Sequence, residues 1–266
     1  MREVPLPPAL LRHIPGCGSG QAPRSVQPLL GGGGAHEVLR IDTAAGRFVL
    51  RQRRGALPRT GACPRREQAC QRSAAAAGLA PAVIATDPGG SWLLMTFVDG
   101  APWTAANLHD PQCLDRLGER LAQLQALPVP PDLDPLDLPA LAAAHAAAGA
   151  APGPCAQLRQ AAQRLAPWRA GRPTVIAHGD LCLGNLVGPG PCLVDWEYAQ
   201  LADPLHDLAC LLAYYPQLTR RGTARLRAAA GLAAPALDAP LALYGELFAT
   251  LNLLWCGSRR LPAGVV

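Results

Sequence analysis

The chain has 266 residues, a formal net charge of +5 and an apolar fraction of 50%, enough to bury a sizeable core in one large domain or two lobes. The charge is mild and its arginines are scattered, which argues against a nucleic-acid partner; no stretch approaches the roughly 20 apolar residues of a membrane span and the N-terminus lacks a signal-peptide core, so a cytoplasmic, membrane-free protein is expected. Nine cysteines at irregular spacing, with no Cys-x-x-Cys pair and no histidine cluster nearby, read as small buried residues rather than disulfides or zinc ligands.

Residues up to about 98 alternate in short segments. Glu37 to Asp42 and Arg47 to Gln52, separated by Ala44-Ala45-Gly46, predict a β-hairpin. A helix is predicted from Arg65 to Ala77, stopped by Gly78 with Pro81 beyond. Two further strands, Ala82 to Thr86 and Trp92 to Val98, flank the turn Asp87-Pro88-Gly89-Gly90. After Asp99-Gly100 the pattern turns helical, with helices expected at Pro111 to Leu127, Pro139 to Ala148, Cys155 to Trp168, Pro204 to Tyr215, Thr219 to Leu232 and Leu241 to Arg259. Proline-rich breaks separate several of them, and the alanine run near 142–151 is explained by helix propensity. The domain boundary is therefore placed between a β-rich part, 1–98, and a mainly helical part, 99–266.

The stretch from Val175 to Tyr198 carries the chemistry. Leu186-Val187 and Cys192-Leu193-Val194 surround Gly188-Pro189-Gly190-Pro191, a tight hairpin. With pairing centred on Gly190, Asn185 and Asp195 would lie opposite each other and offer an amide oxygen and a carboxylate to one magnesium ion carrying triphosphate oxygens. Asp180 precedes Asn185 by the Asp-x-x-x-x-Asn spacing of kinase catalytic loops, in which the aspartate accepts a hydroxyl proton and the asparagine binds metal.

His178-Gly179-Asp180, Asn185 and Asp195-Trp196-Glu197 together resemble the aminoglycoside phosphotransferase and choline kinase superfamily along the whole chain. Asp195-Trp196-Glu197-Tyr198-Ala199 followed by Asp203-Pro204-Leu205-His206-Asp207 is more similar to its choline, ethanolamine and thiamine kinase branches than to antibiotic-modifying members. The resemblance implies an α+β, protein-kinase-like, two-lobed fold with a small β-rich N-lobe and a mainly α-helical C-lobe. It also implies an ATP- and Mg2+-dependent phosphotransferase acting on a small-molecule alcohol. By the same resemblance Asp180 is the catalytic base, Asn185 and Asp195 bind magnesium, and Asp207 steadies the catalytic loop.

Gly31 to Gly34, with Gly32, Gly33 and Gly34 as candidate phosphate contacts, resembles the glycine-rich loop over the nucleotide in kinases. Neither a Walker loop nor a dinucleotide fingerprint is present. Arg51 stands where the family's phosphate-binding lysine would be, in a chain whose basic residues are all arginine, and Glu67 is placed to pair with it. Arginine keeps the charge but not the shape. Met95 to Phe97 would form the hinge strand, with Met95 and Phe97 beside the nucleotide base through backbone groups.

Several residues carry a plainer reading. Asp203 before Pro204 reads as a helix cap, and His178 as a loop-orienting histidine. Glu197, on the same face as Asp195 if the strand continues, is either a metal-side or cationic-substrate contact or a solvated strand-end carboxylate. Tyr244, Phe248 and Trp255 share a helical face and read first as core, then as a pocket wall. The alternatives are an antibiotic kinase, for which the C-terminal part offers few carboxylates beyond Asp238 and Glu246, and a pseudokinase with Arg51 replacing the lysine. Oligomeric state leaves no mark in the sequence.

Overall fold

The computed structural model describes residues 6–17, 21–29, 36–55 and 60–259, with the side chains of 255–259 outside the description. Gly32, Gly33 and Gly34 therefore lie outside the described residues, as does the side chain of Trp255.

A short helix, α1 (Pro8–Leu11), precedes a five-stranded sheet in the order β1-β2-β3-β5-β4. Its strands are β1 (Ser25–Pro28), β2 (His36–Asp42), β3 (Arg47–Arg53), β4 (Val83–Thr86) and β5 (Trp92–Thr96), and every neighbouring pair is antiparallel. Period-two alternation sorts the faces. Leu39 and Ile41 of β2, Phe48 and Leu50 of β3 and Leu94 of β5 bury one face under Leu10 and Ile14. Arg51, paired in register with Val38 and Leu93, follows Leu50 and so points to the other face.

That other face meets α2 (Pro64–Ala76). Proline at its first turn and Gly78 at φ +70 bracket it as helix-ending chemistry requires. Its Cys70 and Ala74 join the larger core, which continues through the helices that follow.

These are α3 (Pro111–Gln125), α4 (Leu138–Ala147), α5 (Pro152–Arg169), α6 (Leu205–Tyr214), α7 (Arg220–Ala229) and α8 (Asp238–Arg259). Leu114, Leu117, Leu121 and Leu124 recur on one face of α3 and are buried. Gly118 permits close approach there, because a Cβ would lie 2.4 Å from that of Ala229 on α7. Tyr244 and Phe248 of α8 are fully buried, as the core reading expects.

Between α5 and α6 run two short antiparallel pairs, β6 (Val175–Ala177) with β9 (Gln200–Ala202), and β7 (Leu186–Val187) with β8 (Cys192–Leu193). The β7–β8 hairpin is tied to the segment after the large sheet: Trp103 N donates to Leu186 O at 2.8 Å and Gly188 N to Ala101 O at 3.1 Å. The segment that leaves the larger sheet is thereby tied to the hairpin that follows the Asp180 loop.

The hairpin corrects one expectation. Leu186 pairs with Leu193 and Val187 with Cys192, so its centre falls between Pro189 and Gly190 rather than on Gly190. Asn185 consequently faces Val194, whose N–H donates to the Asn185 carbonyl at 3.0 Å, and not Asp195. An even-length turn has no central residue, and assigning it one shifted the pairing by a position.

Candidate active site

The loop after β6 is held from below by α6. Asp207 accepts from His178 N at 2.8 Å and from Gly179 N at 2.9 Å, one oxygen for each. Gly179 sits at φ +80, and a Cβ there would lie 2.1 Å from Tyr198 O, so both conformation and space demand glycine. The His178 ring is fully buried; its Nε2 lies 2.9 Å from Val194 O, and it stands edge-on to Trp196 with centroids 4.8 Å apart. His178 thus joins the loop to the segment bearing Asp195.

Asp180 follows directly. Its Oδ1 accepts from the Tyr214 hydroxyl at 2.7 Å and its Oδ2 from Asn185 Nδ2 at 3.2 Å. Burial pushes the Asp180 carboxyl above the ordinary carboxylate range; the Tyr214 hydrogen bond works against that push, and the nearby negative charge of Asp195 adds to it. Asn185 Nδ2 also donates to the Asp180 carbonyl at 2.9 Å. With its nitrogen committed twice, the amide presents its oxygen as the remaining ligating end.

Asp195 reaches the same place by backbone conformation rather than by strand pairing. It is the one non-glycine among the described residues with positive φ, at +64. A positive φ in a non-glycine residue is the kind of local strain that concentrates at functional sites. The next residue anchors the turn: Trp196 is fully buried and its Nε1 donates to Leu193 O at 2.8 Å.

The strand does not run on through Glu197, which therefore does not share a strand face with Asp195. Nor is Glu197 solvated; it is buried, with Oε2 3.3 Å from His36 Nδ1.

Arg51 closes the constellation from the sheet. Its Nη1 donates to Asp195 Oδ1 at 2.7 Å, and its Nη2 donates to Glu67 on α2. Burial alone would lower the Arg51 pKa, but the carboxylates of Glu67, Asp195 and Glu197 outweigh that cost and hold it above its ordinary value. The planar fork of arginine spans two carboxylates at once, which a single ammonium does less well.

Of the expected hinge residues, Met95 lies within β5, between β3 and β4, and Phe97 just beyond it donates its N–H to Arg47 O at 3.0 Å. The guanidinium groups of Arg40 and Arg47 lie over the Phe97 ring, 4.9 Å and 5.3 Å from its centroid.

Asp203 caps α6 as foreseen, accepting from Leu205 N at 2.8 Å. Sequence reasoning missed Tyr214, and also Tyr215, whose hydroxyl accepts from Leu183 N at 2.8 Å. The available signal was that Tyr214 lies two helical turns after Asp207 and thus on the same face of α6.

The donor set suits magnesium. One carboxylate and one amide oxygen are hard ligands, few in number, as expected where phosphate and water complete the shell. Among the described residues no group of three or more His, Cys, Asp or Glu is arranged to hold a metal by itself. No helix among them is long and apolar enough to cross a membrane, and their cysteines are free.

No curated protein matches the chain by sequence. Solved structures do. A choline/ethanolamine kinase family protein from Mesorhizobium loti is 25% identical, with a TM-score of 0.67 over 93% of this chain and 82% of that one. Choline kinase LicA from Streptococcus pneumoniae, whose structure in complex with AMP is also known, superposes with a TM-score of 0.71 at 16% identity, covering 89% and 85%. Aminoglycoside phosphotransferase APH(3'')-Id from Streptomyces rimosus gives 0.61 at 21% identity, covering 86% and 92%. Together with the match of the phosphotransferase enzyme family to residues 25–244, which spans the sheet, the Asp180 loop and α6, this makes the chain a member of that family.

Proposed function

We propose that this protein transfers the γ-phosphate of ATP, held with Mg2+, to a hydroxyl of a choline-, ethanolamine- or thiamine-like metabolite. The reading rests on Asp180 and Asn185 being hydrogen-bonded in one loop, with Asp195 close enough for its charge to act on Asp180 and Arg51 reaching Asp195 from the sheet. In this reading Asn185 and Asp195 hold the ion, which when bound neutralises triphosphate oxygens and aligns them for in-line displacement.

The protein's own groups do the rest. Asp180 accepts the acceptor hydroxyl's proton at the oxygen not engaged by Tyr214, while Asn185 and Tyr214 keep the carboxylate turned toward it. Arg51 balances phosphate charge from a position fixed by Glu67. Asp207 holds the loop so that Asp180 approaches the hydroxyl without reorganisation. The sheet ends with β5 at Thr96, which supports a nucleotide lobe over 1–98 and a helical acceptor lobe over 99–266.

Asp195-Trp196-Glu197-Tyr198 and the likeness to the Mesorhizobium loti protein favour the choline-type acceptor. A polycationic antibiotic would want open carboxylates, and the two expected of the C-terminal part are spoken for: Asp238 pairs with Arg227 at 2.7 Å and Glu246 pairs with Arg164. The test is magnesium-dependent ATP consumption with choline, ethanolamine, thiamine and an aminoglycoside, with the phosphorylated product identified by mass. Phosphorylation of the aminoglycoside alone would reject the acceptor class, and ATP binding without turnover on any acceptor would reject catalysis.

A further inference from the structure

The segment from Asp195 to Ala199 is held from the β-rich part of the chain at every second residue. Arg51 of β3 donates to Asp195 Oδ1 at 2.7 Å, His36 of β2 brings its Nδ1 to 3.3 Å from Glu197 Oε2, and Arg66 of α2 donates to the Ala199 carbonyl at 2.7 Å. The first of these belongs to the proposed phosphate site. The middle one has no part in it so far.

Sheet geometry explains how His36 and Arg51 come to act side by side. In the β2–β3 pair His36 stands opposite Arg53 and Val38 opposite Arg51. Residues two apart on a strand, and residues directly opposite across a pair, share a face, so His36 and Arg51 are diagonal neighbours on the face turned away from Leu39 and Leu50. Two adjacent strands thus reach the same short segment.

The contact to Glu197 is enclosed. The side chains of His36 and Glu197 are 14% and 9% exposed, whereas that of Asp195 keeps 43%. A carboxylate only accepts, so the hydrogen between them sits on Nδ1. Removing His36 would leave a buried carboxylate short of a donor, with little water to replace it. That matters because of what lies two residues earlier. Asp195 holds a φ of +64, which a non-glycine residue keeps only where its surroundings enforce it. Trp196 anchors the turn on the hairpin side through Leu193 O, and Glu197 is the next point at which it is fixed.

We propose that His36 is a positioning residue for the metal site: by holding Glu197 to the sheet it fixes the turn that aims Asp195, without itself ligating the ion. The assignment rests on the phosphotransferase reading, in which Asp195 is a magnesium ligand. It gives Glu197 a role directed at the sheet rather than at a cationic acceptor.

Calorimetric titration of the full chain with AMP-PNP, once with Mg2+ and once with EDTA in its place, tests this without turnover. Mg2+ should tighten binding to the wild type. His36→Ala should weaken binding in Mg2+ at least about tenfold and binding in EDTA less than about twofold, because only the ion depends on how Asp195 is aimed. His36→Asn, whose amide N–H can stand where Nδ1–H does, should stay within about threefold of the wild type in Mg2+. In a Glu197→Ala background His36→Ala should add less than about twofold, since the contact is already gone. Equal losses in Mg2+ and EDTA would mark a purely structural role and overturn the proposal; an unaffected His36→Ala, a His36→Asn as weak as His36→Ala, or fully additive losses in the double variant would do the same. Should His36→Ala not fold, His36→Gln, whose amide is carried one carbon farther out, replaces it in the comparison with His36→Asn. A wild type that binds AMP-PNP equally with and without Mg2+ would reject the phosphotransferase reading, and the role of His36 with it; a metal effect that is present in the wild type and survives in His36→Ala rejects the role of His36 alone.

Discussion

Arg51 is a bridge between two carboxylates of unequal exposure: the side chain of Glu67 retains 8% of its surface and that of Asp195 43%. Replacing Arg51 with methionine keeps much of the volume and removes the charge. Glu67 is then buried without a partner, a change that costs about 3–5 kcal/mol in comparable sites. The lost contact to the more exposed Asp195 adds about 1 kcal/mol or less, because solvent screens it. Urea denaturation should thus show Arg51→Met destabilised by about 3–5 kcal/mol, almost all of it traceable to Glu67. The companion Arg51→Met/Glu67→Met removes both charges and should return to within about 1 kcal/mol of the wild type. Arg51→Lys should fall between, since one ammonium cannot reproduce both arms of the fork. A single variant within about 1 kcal/mol of wild type, or a double variant as unstable as the single, would refute the reasoning, because either result denies that an uncompensated Glu67 is the source of the loss.

Three further outcomes are expected. Burial raises the Asp180 pKa and the Tyr214 hydroxyl restrains that rise, so Tyr214→Phe should move the acid limb of the kcat/KM profile to higher pH; an unmoved limb, or one shifted to lower pH, contradicts this. Gly179→Ala places a Cβ 2.1 Å from Tyr198 O at φ +80 and should cost more than about 3 kcal/mol in denaturation, whereas a neutral result would mean the loop is not held as described. Asp207→Asn turns one accepting oxygen into a donor facing a backbone N–H, with an expected loss of about 1–3 kcal/mol by the same measurement; wild-type stability would show that the two hydrogen bonds to His178 and Gly179 contribute nothing.

Local signals located most of the fold. Alternation found the β2–β3 hairpin nearly to the residue, and Gly78 with its neighbouring proline ended α2 where the chain does end it. The weak pairs β6–β9 and β7–β8 are two or three residues long, too short for periodicity to set their register. That is why Asn185 was matched to the wrong neighbour while its loop was located correctly. The positive φ of Asp195 leaves only a weak mark in the sequence, because aspartate is enriched in that region yet adopts it at few of its positions. Tyr214 was invisible for another reason, since its partner Asp180 is brought to it by the tertiary packing of the catalytic loop on α6.

In the proposed reaction Asp180 activates the acceptor hydroxyl at a magnesium-triphosphate site held by Asn185 and Asp195. Its most direct test is the rate of phosphorylated-product formation with Mg-ATP and the best acceptor, compared between wild type and Asp180→Asn, with nucleotide affinity measured in parallel. The expected result is a fall in kcat of about 100- to 10,000-fold, with nucleotide affinity changed less than about threefold. A variant that turns over at the wild-type rate would contradict it.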